Sequence, residues 1–369
     1  MFGHTKQESS QRGSGTTKSV INAIGRRQFL HNAIIAAPIM LATAPALAER
    51  AKPSSNKRVP TTSSLPPQDI FIPHQYSERT ADLGEVKMNY AVVGADSNPA
   101  LLLVPGQTES WWGYEAAMKS LKNDFQVFAV DLRGQGRSTR TPGRYTLDNM
   151  GNDLDSFIAT VIKRPTLVAG CSSGGLLACW LSAYATPGQV RGSYLEDAPL
   201  FSSEIEPAFG QGIHQAAGPR LALVNRYLGD QWQIGDWQGF LAASRSSSPF
   251  EDRDTPQKQT PPPQNIREYD PEWARAFTEG TAMRTCDHKV MLSSVNTPIL
   301  LSHHMRAENP ENGHLMGAMS ELQVGQVKKL IEATGQAFSY VSLPNAAHAM
   351  HVSDPETYVR VLKEWVDQL

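Results

Sequence analysis

The sequence predicts an α/β fold, a mostly parallel sheet covered by helices on both faces, and three observations carry that prediction. Short apolar runs (Leu101–Val104, Phe125–Val130, Thr166–Ala169) alternate with stretches of helical periodicity, such as Leu147, Met150, Leu154, Phe157, Ile158 and Val161. The runs are apolar throughout rather than at every second residue, as expected of strands buried on both faces. Glycine-rich turns stand at the ends of the runs, where a strand hands over to a helix.

The chain has 369 residues, 40% hydrophobic and 19% charged, enough for one large domain with an inserted subdomain. Its formal net charge of −2 gives no sign of a nucleic-acid partner. Three cysteines, Cys171, Cys179 and Cys286, make no disulfide framework and match no metal-binding spacing.

Residues 1–48 read as an export signal. Gly25-Arg26-Arg27-Gln28-Phe29-Leu30 precedes an apolar run from Ala33 to Ala44, and Ala46-Leu47-Ala48 supplies an A-x-A cleavage site. Paired arginines before Phe-Leu resemble a bacterial twin-arginine signal, which implies that export machinery as a partner and a periplasmic or secreted destination. The run is short for a bilayer span, so no stable membrane anchor is expected after cleavage. Residues 49–68, rich in Pro, Ser, Lys and Thr, read as a flexible linker.

Alternating apolar residues around Gly84 (Leu83, Val86, Met88, Tyr90, Val92) predict a hairpin entering the sheet. Leu101–Val104 then runs into Pro105-Gly106-Gln107, and Trp111 and Trp112 open a helix, either as core aromatics or as walls of a substrate pocket. The strand Phe125–Val130 ends in Asp131-Leu132-Arg133-Gly134-Gln135-Gly136-Arg137-Ser138. The most informative stretch follows, Gly170-Cys171-Ser172-Ser173-Gly174 between an apolar strand and an apolar helix. A G-x-S-x-G on so sharp a turn holds its serine in a strained backbone with the hydroxyl exposed, and small residues at Gly170 and Gly174 let strand and helix approach. The Ser173 N–H then lies at a helix N-terminus, suited to stabilising an oxyanion, with a second N–H expected from Gln107.

Together, Pro105-Gly106-Gln107, D-x-R-G-x-G-x-S, G-C-S-S-G and the late Ala346-Ala347-His348 resemble the α/β-hydrolase superfamily across most of residues 80–200 and 290–369. That resemblance implies an eight-stranded sheet built from residues 69–200 and 295–369, with residues 201–294 as a mainly helical cap. It implies a small-molecule substrate and calls for no cofactor. The chain departs from many members by Pro105 in place of histidine and Ala347 in place of glycine.

The serine needs a base, and His348, in the loop after the last strand, fits the family's position better than His351. The acid is open. No aspartate follows the strand Pro298–Ser302 at the usual place, and Glu308 stands about one residue late. Some members, haloalkane dehalogenases and zearalenone-type lactonases among them, carry the acid after the sixth strand, where Glu196-Asp197 stands here. Alternation along a strand forbids both from facing His348. The order of preference is Asp197, Glu308, Glu196. His303-His304 are expected to hydrogen bond at the base of the site rather than to bind metal, since adjacent histidines on extended backbone point apart.

The expected activity is hydrolysis of a carboxylic ester or lactone through an acyl-enzyme on Ser172. Cofactor-free perhydrolase or haloperoxidase chemistry and carbon–carbon bond hydrolysis use the same triad and stay open, as does a non-catalytic ligand-binding role on the same scaffold. Epoxide hydrolysis and haloalkane dehalogenation need an aspartate where Ser172 stands. Aromatics between Leu200 and Ser294 (Trp232, Trp237, Phe240, Tyr269, Trp273, Phe277) suit either a ring-binding pocket or the cap's own core.

Overall fold

A computed structural model describes residues 71–201, 217–228, 235–246, 261–308 and 315–369. The expected export signal, the linker, Trp232 and much of the expected cap therefore lie outside the described residues. Among the described residues no helix is long and apolar enough to cross a membrane.

The hairpin turns where the sequence places it. Strands β1 (Glu78–Asp82) and β2 (Lys87–Val93) pair antiparallel around Gly84, whose φ of 92° suits glycine. Then come β3 (Ala100–Val104), β4 (Gln126–Val130), β5 (Thr166–Cys171), β6 (Val190–Glu196), β7 (Ile299–His303), a small antiparallel pair β8 (Ala307–Glu308) and β9 (Leu315–Met316), and β10 (Phe338–Ser342). The main sheet has eight strands in the order β1-β2-β4-β3-β5-β6-β7-β10, and every pairing from β4 onward is parallel.

Alternation along β3 shows why both faces must be covered. Leu102 and Val104 enter one apolar cluster with residues of the helices Leu147–Phe157, Ser173–Tyr184 and Glu321–Glu332. Leu101 and Leu103 enter the other, against the helices Glu115–Leu121 and Pro355–Val366. Helix starts follow local chemistry. Thr146 accepts from Asn149 N–H, Ser320 and Gln323 form a capping box, and Asp354 caps a helix that begins at Pro355.

Between Leu200 and Val295 the described residues form helices and loops without strands. Trp237, Phe240, Tyr269 and Trp273 are buried in the same cluster as the helices on that face, so these aromatics are packed as core. Residues 265–270 are laced to the loop after β3. Asn265 Nδ2 donates to Thr108 O, Gln107 Nε2 donates to Tyr269 Oη at 2.7 Å, and Ser110 Oγ and Trp112 Nε1 both donate to Glu268 Oε2 at 3.0 Å.

The Asp131–Ser138 motif is scaffolding. Asp131 accepts the N–H groups of Trp111 and Arg137, although burial pushes its carboxyl up to about 7. Arg133, 2% exposed, grips Asp153 with Nε and Nη2 at 2.7 and 2.8 Å. A planar guanidinium on a carboxylate is a strong bond only while both partners are present. Arg133→Met is therefore expected to cost about 3–5 kcal/mol in guanidinium denaturation, because it strands a buried carboxylate, whereas Arg133→Met with Asp153→Leu should regain most of that loss.

Candidate active site

Strands β5 and β6 run parallel with Cys171 opposite Glu196, so the next residues, Ser172 and Asp197, leave the sheet side by side at its C-terminal edge. Ser172 has φ 55° and ψ −120°, the strained turn that a strand-to-helix elbow demands. Its N–H donates to Glu196 O at 2.8 Å. The turn is closed by contact: a Cβ on Gly170 would lie 2.1 Å from Gly174 O, and one on Gly174 would lie 2.2 Å from Val104 O. Ser172 makes no side-chain cap on the helix it begins, and Ser173 is the first residue of that helix, whose N–H has no partner within the helix.

Asp197 also has positive φ, 45°, which aspartate tolerates better than most residues. Its N–H donates to Ser302 O, and its Oδ1 accepts the His304 N–H at 3.0 Å. The other oxygen, Oδ2, lies 2.6 Å from His348 Nδ1. Asp197 is 1% exposed and the His348 side chain 27%, so the pair is dry on the acid side and reachable on the imidazole side.

Burial alone would raise the Asp197 pKa, but the His348 hydrogen bond and charge outweigh it and hold the carboxyl below its ordinary value. Burial likewise opposes charge on His348, yet Asp197 prevails and the ring sits above the ordinary histidine value. An ionised Asp197 accepts, so Nδ1 carries the proton and Nε2 keeps its lone pair for a proton from elsewhere.

Glu196 does not compete. It points to the other face and binds His351, Oε1 to the backbone N–H and Oε2 to Nδ1, both at 2.9 Å, with both side chains fully buried. His351 stacks on Tyr114 with ring centroids 4.0 Å apart. Two adjacent acids thus take two histidines three residues apart. Glu308 lies in β8, and its side chain is outside the described residues.

The two adjacent histidines are used internally. His303 Nε2 lies 2.8 Å from Met319 O, while His304 Nε2 lies 2.7 Å from Ser302 Oγ and its Nδ1 2.9 Å from Ala347 O. His304 thereby ties β7 to the loop that delivers His348. Among the described residues, Cys171, Glu196 and His351 place potential metal ligands within 4.8 Å of one another. A cation there would compete with the Glu196–His351 bonds and need a Cys171 thiolate, which burial strongly disfavours.

The two tryptophans part company. Trp111 is a correction to the pocket-wall expectation: it is fully buried in the apolar cluster, its Nε1 donates to Glu78 Oε1 at 2.8 Å, and its ring meets His74 edge-on. Its backbone N–H is held by Asp131, which turns the side chain into the core. Trp112 is partly buried, stacks on His74 and bonds Glu268, at the seam between the loop after β3 and residues 265–270.

The loop Pro105-Gly106-Gln107 presses on the elbow, since a Cβ on Gly106 would lie 3.2 Å from both Ser172 Cβ and Cys171 O. His304 bonds at the base of the site as expected, whereas two side chains that grip this loop, Glu109 and Gln135, were not among the residues expected at the site. Their partners are remote in the chain or backbone groups, so no local pattern marks them.

A serine on a strained elbow, beside an acid–histidine pair at the C-terminal edge of a parallel sheet, is the arrangement of an α/β-hydrolase fold. A family model described as the alpha/beta hydrolase family matches residues 101–361, and the chain belongs to that family. It is 29% identical over 114 residues to epoxide hydrolase 4 of Homo sapiens, covering 30% of this chain and 31% of that protein. It is 29% identical over 102 residues to 3-oxoadipate enol-lactonase 2 of Acinetobacter baylyi, covering 27% and 38%. The chain thus spans only about a third of the length of these curated relatives. The fold resembles the crystal structure of E-2-(acetamidomethylene)succinate hydrolase, with TM-score 0.56, 19% identity, and coverage of 79% of this chain and 100% of that one. Membership and relatives support a hydrolase.

The Asp197–His348 pair has a definite pH signature. The Asp197 contribution to stability is present above its unfolded value of 3.8 and is lost as pH falls through its lower folded value. The His348 contribution is full below its unfolded value of 6.5 and is lost as pH rises through its higher folded value. In imidazole 15N NMR, the signal absent from His348→Gln is expected to titrate above 6.5 in the parent and lower in Asp197→Ala.

Proposed function

We propose that this chain is a serine hydrolase of carboxylic esters or lactones that works through an acyl-enzyme. The observation that carries the reading is the 2.6 Å approach of His348 Nδ1 to Asp197 at the sheet edge where Ser172 stands at positive φ. In this reading Ser172 Oγ attacks the carbonyl carbon as His348 Nε2 takes its proton, and Asp197 stabilises the imidazolium. The N–H groups of Gln107 and Ser173 receive the oxyanion. His348 returns the proton to the departing alkoxide. Water, deprotonated by the same ring, then breaks the Ser172 ester and releases the acid.

The chemistry of residue 172 favours acyl transfer over epoxide opening. A serine hydroxyl is neutral and needs a base to attack, whereas opening an epoxide to an enzyme-bound ester requires a carboxylate nucleophile. The similarity to an enol-lactonase supports the lactone branch. Export to the periplasm or medium, through the twin-arginine pattern in residues 1–48, belongs to the same proposal.

The test is hydrolysis by the full chain of p-nitrophenyl esters of short and long acids and of a simple aryl lactone. The parent is expected to turn over at least one of them, and Ser172→Ala to lose about 10⁴-fold or more in kcat. A parent inactive on all of them, or a Ser172→Ala variant as fast as the parent, overturns the reading.

A further inference from the structure

Gly106 sits where a side chain does not fit. A Cβ there would lie 2.9 Å from Glu109 Oε2 and 3.2 Å from both Cys171 O and Ser172 Cβ. Glycine answers the crowding but brings freedom, because its φ and ψ are the least restricted of any residue. An oxyanion donor two bonds beyond such a residue is poorly aimed unless something fixes the peptide planes on both sides of it.

Two side chains do so. Glu109 Oε2 accepts the Gly106 N–H at 2.6 Å, which fixes the plane of the Pro105–Gly106 peptide. Gln135 Nε2 donates to Gly106 O at 2.7 Å, which fixes the plane of the Gly106–Gln107 peptide. The Glu109 N–H adds a longer bond to the same oxygen, at 3.3 Å. A trans peptide is planar, with its C=O and N–H pointing opposite ways. Drawing the Gly106 carbonyl toward Gln135 therefore turns the Gln107 N–H away from Gln135.

Both clamps are themselves held. Gln135 is fully buried, and its Oε1 accepts the Leu132 N–H at 3.3 Å, which fixes the amide with nitrogen toward Gly106. Glu109 faces His351, whose Nε2 is 4.0 Å away and whose Nδ1 is held by Glu196.

We propose that Gln135 and Glu109 are positioning residues that clamp the Gly106 peptide planes from opposite sides and so aim the Gln107 N–H at the developing oxyanion. This rests on the serine-hydrolase reading. It also gives the loop Asp131–Ser138 a second duty: one of its side chains reaches across to orient the loop after β3.

The experiment uses the full chain, a p-nitrophenyl ester, a trifluoromethyl ketone that adds to the serine as a tetrahedral oxyanion, and a fluorophosphonate label. Gln135→Met, close in volume but without a donor, is expected to lower kcat by about 10–100-fold with KM within about twofold. Affinity for the trifluoromethyl ketone should fall by the same factor as kcat/KM, which a merely structural role would not produce. Glu109→Leu should behave likewise, and Glu109→Gln, which keeps the acceptor, should restore most of the rate.

Parent-like kcat and ketone affinity in both Gln135→Met and Glu109→Leu overturn the clamp, as does a rise in KM with kcat unchanged. Should Gln135→Met fail to fold, the Glu109→Leu and Glu109→Gln pair decides by the same criteria. A parent that is not labelled by fluorophosphonate at Ser172 overturns the serine reading itself, and the clamp with it. A parent labelled normally alongside variants labelled equally fast overturns the clamp alone.

Discussion

The site depends on one register. Because Cys171 stands opposite Glu196 in the parallel pair β5–β6, the residues that follow turn out of the sheet together. Each turns at positive φ, 55° at Ser172 and 45° at Asp197, and each still donates its N–H to a neighbouring strand or strand end, to Glu196 O and Ser302 O respectively. Neighbouring strands lie about 4.8 Å apart, so serine and acid fall within the span of a single imidazole brought in by the loop after β10. A slip of one residue would carry Asp197 to the wrong face and leave His348 without its partner.

Electrostatics at this edge follow from the same geometry. Asp197, Glu196, His348 and His351 are gathered at the carboxyl ends of the strands, where unpaired ionised groups would be costly. The two turns separate them into two acid–histidine pairs, one reachable and one fully buried. The buried pair gives no opening to a substrate. Its place between Tyr114, Glu109 and the end of β6 makes it a brace under the loop after β3. Burial holds Glu109 above the ordinary carboxylate range against the pull of His351, which fits a group shielded from water on one side and facing a second acid. Charge is thus arranged in layers: a partly exposed pair at the sheet edge, a fully buried pair beneath it.

Much of the fold was legible because its central strands are short and apolar on both faces and because Gly170 and Gly174 stand where a Cβ would collide with backbone. Ser172 was legible because a G-x-S-x-G means little alone and a great deal between an apolar strand and an apolar helix. Asp197 was legible only as the first of three candidates, since strand alternation shows that Glu196 and Asp197 face apart but not which of them faces His348. The positive φ at Asp197, which redirects its side chain after β6 ends, leaves no mark in a single sequence. Trp111 was read two ways because an aromatic beside a glycine-rich loop looks the same in a pocket as in a core; the Asp131 bond to its backbone turns it inward. Gln135 and Glu109 left no sequence signal because what matters about each is its bond to the Gly106 backbone, which only the folded loop brings within reach.

The most direct test of this account compares kcat for Asp197→Asn, Glu196→Gln and Glu308→Gln with that of the parent on whichever ester or lactone it turns over fastest. Asp197→Asn is expected to lose about 10⁴-fold, through loss of the tautomer that leaves Nε2 free. Glu308→Gln should keep a near-parent rate and Glu196→Gln should lose less than Asp197→Asn. A collapse of activity in Glu308→Gln with Asp197→Asn still active would rule out Asp197 as the acid, and would place the acid after the seventh strand instead of the sixth.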